Sequence, residues 1–226
     1  MNGKLSTAAV IIISVFAAAA DILISGGRHY KMICGILSAL AILPYITVHG
    51  NRKAVSYELR TIILTTLMSA AMLALFGDAA YFRPVTAVVI ITGMLFGSPA
   101  GFTCGFFSVM LVSGFSGIGE WTVIQLLIIS VAGFLSGVFS KKMVESNIFL
   151  TIFSLFCSFA FSCADIISAV DKAQSESFFS AYRPVFAVSV KWFAFYAVSD
   201  IILILLTKRL FAFKALRMKK RFKIFA

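Results

Sequence analysis

Arg83, Glu120, Gln125, Asp165 and Lys191 stand out in this sequence because each lies inside a long apolar run or at its rim, and two tryptophans, Trp121 and Trp192, sit beside them. An ionisable group in such surroundings is costly and normally marks a partner or a pathway. Cations, carboxylates and an amide set among indole rings suit a small amphipathic ligand with a flat ring, stacked on the aromatics and hydrogen-bonded at its rim. Tyr81, Phe82 and Tyr182 would add further rings. A plainer reading stands beside this one: Arg83 and Arg183 snorkel, Lys191 pairs with Asp165, and the rings form an interfacial belt.

The same residues offer nothing for catalysis. The sequence has no Gly-x-x-x-x-Gly-Lys phosphate loop, no Asp-rich metal motif and no nucleophile elbow. Cys34, Cys104, Cys157 and Cys163 fall in apolar runs without a Cys-x-x-Cys pair, and His29 and His49 stand alone. No catalytic residue, disulfide, metal ion or cofactor is therefore expected.

The elements that must position these side chains follow from composition. Of 226 residues, 61% are hydrophobic and 13% charged, and the mean hydropathy is +1.01, which is the composition of a membrane protein. A span needs roughly 20 apolar residues, and runs at about 5–25, 30–48, 59–76, 83–97, 99–115, 121–140, 147–170 and 183–207 give eight of them. The connections left over hold no soluble catalytic or ATP-binding domain. The runs are helices, because lipid offers no partners to free backbone groups and they are far longer than the roughly 10-residue strands of a barrel. Gly97-Ser98-Pro99-Ala100-Gly101 marks a tight reversal between the fourth and fifth.

Basic residues are retained on the cytoplasmic side. With the C-terminus inside, 14 of the 20 Lys and Arg are cytoplasmic, among them Lys141, Lys142 and eight from Lys208 to Lys223, against five outside. This places both termini in the cytoplasm and Glu120, Trp121, Asp165 and Lys191 toward the outer face. A cleaved signal peptide ending near Ala18-Ala19-Ala20 is a rival reading of the first run; it would leave seven spans and move nothing downstream. The net charge of +11 comes largely from the tail, whose lysines and arginines alternate with Phe211, Phe213, Phe222 and Phe225. That pattern anchors a segment to anionic headgroups and calls for no nucleic acid.

Small residues indicate close helix packing. Gly93, Gly97, Gly101 and Gly105 recur every four residues, as do Gly133 and Gly137. Thr66, Ala70 and Ala74 form a similar face on the third run, turned either inward or toward another chain. Tyr81-Phe82-Arg83-Pro84-Val85 and Tyr182-Arg183-Pro184-Val185 both put proline in a first helical turn. Asp200, inside the last run, is expected to hydrogen-bond a neighbouring helix or to relay a signal.

From Arg83 onward, residues 83–139 resemble the substrate-binding S component of energy-coupling factor (ECF) transporters, particularly the cobalamin-type branch. Arg83-Pro84-Val85-Thr86-Ala87 and the glycine-spaced helices carry the likeness, together with Gly117-Ile118-Gly119-Glu120-Trp121-Thr122-Val123-Ile124-Gln125. That last element departs from the branch pattern at Glu120, Val123 and Ile124, where two prolines and a second tryptophan are replaced. The resemblance implies an all-α polytopic membrane protein. It would have two extra transmembrane helices (1–58), a six-helix core (59–207) and a basic cytoplasmic tail (208–226).

It also implies a vitamin or vitamin-like micronutrient as ligand, captured at the outer surface of a bacterial cell membrane. The partners would be a membrane scaffold (T) protein, touched by Ala70 and Ala74, and two ATPase subunits. Two other readings are a membrane enzyme or enzyme subunit acting on a lipid or isoprenoid, and a structural membrane protein.

Overall fold

The computed structural model describes residues 9, 12, 13, 60, 62–71, 74, 84–116, 120–172 and 193–208; for 116, 120, 121 and 164–172 it describes the backbone alone. Seven helical segments account for nearly all of them: α1 (Ile62–Ala71), α2 (Val85–Phe96), α3 (Ser98–Ser116), α4 (Glu120–Val138), α5 (Ser140–Glu145), α6 (Asn147–Lys172) and α7 (residues 193–208). No strand occurs among the described residues. The first two expected spans, 5–25 and 30–48, lie outside the described residues apart from 9, 12 and 13, which are helical.

The most apolar helix, α2, is the centre of the bundle. Pro84, with φ −74°, precedes its first turn, where a missing N–H does no harm. Every residue from Val85 to Leu95 is buried, so this helix has no outward face and its uniform apolarity follows. Its 12 residues make about 18 Å at 1.5 Å per residue, well short of the roughly 30 Å hydrocarbon layer. The stretch 83–97, read from sequence as a short span, thus holds a core helix of about 18 Å. Composition does not separate the two, because a helix wrapped by protein and one wrapped by lipid are equally apolar.

Gly97 ends α2 at φ 98°, a left-handed conformation that glycine adopts without strain, and its amide donates to the Gly93 carbonyl at 2.9 Å. The chain doubles back within that one residue. A Cβ placed on Gly101 would stand 2.6 Å from Gly93 Cα, a proximity that residues eight apart in a single continuous helix never reach. The expected reversal is therefore present. α3 contains Ser98–Phe115, the one described segment long and apolar enough to cross a membrane unaided.

Glycine brings α2, α3 and α4 into backbone contact. A Cβ on Gly105 would meet the Ile129 carbonyl oxygen at 2.8 Å, and one on Gly133 would lie 2.8 Å from the Val89 side chain and closer still to the Gly101 carbonyl. At Gly137 the obstruction is the backbone of Ser98. The four-residue glycine spacing is thus an internal packing device.

Side chains complete two layers of core. Val85, Val89, Phe102, Phe106, Val109, Leu126, Ile129 and Phe161 pack around the first half of α2; Ile90, Met94, Leu95, Ala132, Met143, Leu150, Phe153 and Ile204 pack around its second half. Buried hydroxyls bond back to their own helices, as Thr92 does to the Val88 carbonyl (2.8 Å) and Ser162 to that of Ser158 (2.9 Å). Large apolar side chains also face outward, among them Phe115, Ile148, Leu64 and Phe156. An apolar exterior over an apolar core is the arrangement of a bundle whose solvent is lipid.

Candidate functional site

The two ends of the bundle can be told apart. At one end α4 passes into the short α5, which exposes Lys141 and Lys142 and buries Met143. The Lys208 ammonium, closing α7, donates to the Met143 carbonyl (2.8 Å) and to Asn147 Oδ1 (2.6 Å). The last turn of α7, the α5 turn and the start of α6 are thereby held together. The expectation that Lys141, Lys142 and the root of the tail share one side of the membrane agrees with this geometry.

The start of α4, the end of α6 and the start of α7 consequently lie at the opposite end. Glu120 and Trp121 are the first two residues of α4, and Gln125 follows one turn later, half-buried between the buried Thr122 and Leu126. Asp165 lies on α6 one turn beyond Phe161, whose ring joins Val85 and Leu126 in the upper core layer. Because α4 and α6 run antiparallel on either side of α5, the backbones of Glu120, Trp121 and Asp165 come to the same end of the molecule. Phe193, which opens α7 there, meets Phe159 edge to face with ring centroids 5.5 Å apart.

Arg83, Lys191 and Trp192 lie outside the described residues; in sequence they directly precede Pro84 and Phe193. α2 begins level with Leu126 and Phe161, so α4 and α6 continue past its start. The short central helix leaves this end of the bundle framed by longer neighbours.

The face formed by Thr66, Ala70 and Ala74 divides. Thr66 and Ala70 are buried, at 6% and 8% exposure, and Ser108 of α3 donates to the Thr66 carbonyl at 3.4 Å. Ala74 is exposed. Equal spacing of small residues does not reveal which neighbour they meet, and here the same stripe packs inward at its start and opens outward at its end.

Asp200 is the acidic group whose surroundings were least legible in the sequence. Only 1% exposed, it accepts a hydrogen bond from Ser158 Oγ of α6 at 2.8 Å, which is the expected bond to a neighbouring helix. The signal for the partner lay in Ser154, Ser158 and Ser162, a hydroxyl on every fourth residue of α6. Among the described residues no three His, Cys, Asp or Glu side chains gather as a metal site would require.

Residues 56–212, well over half the chain, match the family model described as ECF-type riboflavin transporter, S component. No curated protein and no solved structure matches the chain. The matched range covers every helix from α1 to α7, and the family is a membrane-embedded, substrate-binding transporter component, not an enzyme. The family model names riboflavin and gives no support to the cobalamin-type branch suggested by residues 117–125. With its match spanning the glycine-packed core and both ends of the bundle, this chain belongs to the S components of ECF transporters.

Proposed function

We propose that this chain captures a micronutrient with a flat fused ring, riboflavin being the first candidate, at the end of the bundle where α4 begins and α6 ends, and passes it inward with a scaffold protein and two ATPases. The observation that carries the ligand class is the match of residues 56–212 to a riboflavin-type S component. The site would comprise Arg83, Glu120, Trp121, Gln125, Asp165, Lys191 and Trp192. Trp121 and Trp192 supply faces for ring stacking, Lys191 and Arg83 supply donors to ring carbonyls, and Glu120, Asp165 and Gln125 accept from ring N–H or ribityl hydroxyl groups. Replacement of the cobalamin-type prolines and second tryptophan by Glu120, Val123 and Ile124 favours a ligand other than a corrinoid.

Both termini are cytoplasmic in this account, a reading supported by the distribution of lysine and arginine, so the capture end opens outward. Coupling to the scaffold involves the small-residue stripe of the third run, with Ala74, three residues past the end of α1, exposed and Ala70 buried within α1. Titration of the purified chain with riboflavin and, separately, with cobalamin tests the ligand. Saturable binding of riboflavin alone is expected; saturable binding of cobalamin alone would restore the cobalamin-type reading.

A further inference from the structure

Among the described residues Asp200 is the one acidic or basic side chain that is buried. It stands where three helices meet. It projects from α7, takes a hydrogen bond from Ser158 of α6, and faces the backbone amide of Ala87 in the first turn of α2. Its other oxygen, Oδ1, closes no hydrogen bond, and neither does the hydroxyl of Ser154 one turn along α6. A carboxylate enclosed in an apolar bundle with a single hydroxyl partner is expensive, and a well-packed apolar side chain commonly does as well or better for stability. Stability alone therefore does not account for it.

Position does. The amides of a helix's first turn lack partners within the helix and carry its positive end, so a carboxylate facing them fixes where the helix starts. Here the helix is α2, and the residue before Pro84 is Arg83. We propose that Asp200 is a positioning residue for ligand capture, setting through Ser158 and the first turn of α2 the depth and direction at which α2 begins. This rests on the reading that the ligand binds at that end. α7 and α6 then act on the site without touching the ligand.

The test uses the full-length purified chain, with riboflavin affinity, riboflavin dissociation rate and unliganded melting temperature measured side by side. Asp200→Asn keeps the shape and an acceptor for Ser158 but, with its amide oxygen held by Ser158, turns an NH2 donor toward the first-turn amides of α2. It is expected to weaken affinity about tenfold, the scale of one buried hydrogen-bonding contact, mainly through faster dissociation, with the unliganded melting temperature close to that of the unaltered chain. Ser158→Ala should shift affinity the same way by about threefold, and the double variant should be no weaker than Asp200→Asn, because the two act through one contact.

A purely structural role would lower the melting temperature and leave the affinity of the folded fraction unchanged. Unaltered affinity in both single variants overturns the proposal, and if Asp200→Asn does not fold, Ser158→Ala decides. Should the unaltered chain bind no riboflavin, it is the ligand assignment that fails. Maleimide labelling at Arg83→Cys, above the background of the native cysteines, then decides this inference: faster labelling with Asp200→Asn supports it, and an equal rate overturns it.

Discussion

The bundle is held together in two different ways on its two sides. Across α2, α3 and α4 the helices touch backbone to backbone through Gly93, Gly101, Gly105, Gly133 and Gly137, with no room for a Cβ. Across α6 and α7 the contacts described are side-chain reaches: Ser158 to Asp200, Phe159 to Phe193, and Lys208 to Met143 and Asn147. A backbone interface has one register and no rotamers to change, whereas a seam of hydroxyls, rings and one ammonium can slide or re-pair at modest cost. The glycine side is thus the frame, and the α6–α7 side is a seam that substitution can reshape at lower cost.

Substitutions on the two sides should differ accordingly. The largest effect is expected at Gly133: a leucine there collides with the Gly101 backbone, and Gly133→Leu should give no monodisperse protein by size-exclusion chromatography. Gly101→Ala is the milder version, expected to cost about 1–3 kcal/mol or more, as overpacking does, and to lower the melting temperature. A Gly133→Leu protein that melts like the unaltered chain would dissolve the distinction between frame and seam.

Next in size, Ala74→Trp should abolish copurification with scaffold and ATPases while sparing ligand binding, because Ala74 is exposed. Ala70→Trp should instead impair folding, because Ala70 is buried. Normal assembly by Ala74→Trp in a pull-down would move the coupling surface elsewhere.

At the capture end, Trp121→Ala and Lys191→Ala should each weaken riboflavin binding about thirtyfold, the loss of roughly 2 kcal/mol typical of a central anchor, with the melting temperature held. Affinity unchanged in both would remove this end as the site. Smallest of all, Gly114→Ala meets nothing within 4 Å, so only helix propensity acts and a gain of up to about 1 kcal/mol is expected. A marked loss at Gly114 would show that this face packs against a partner in the membrane.

Much of this contrast is legible in the sequence. Glycines four residues apart announce a close approach because only they remove the Cβ, and the reversal at Gly97 was signalled by the glycines and proline around it. The common end for Glu120, Trp121 and Asp165 followed from where the lysines and arginines lie. Three features were not legible. The complete burial of α2 was hidden because burial in protein and burial in lipid select the same side chains. The inward turn of Thr66 and Ala70 was hidden because spacing fixes a face but not its neighbour. α5 was hidden because two lysines and a serine read as a loop, while the burial of Met143 between α4 and α6 winds them into a short helix.

The most direct test of the account is a flavin-fluorescence titration of the purified chain, because everything assigned to the capture end depends on a ring-shaped ligand binding there. Saturable, stoichiometric quenching whose midpoint moves about thirtyfold to higher concentration in Trp121→Ala is the expected result. Quenching that rises linearly with protein, or saturates equally in the Trp121→Ala variant, would contradict it.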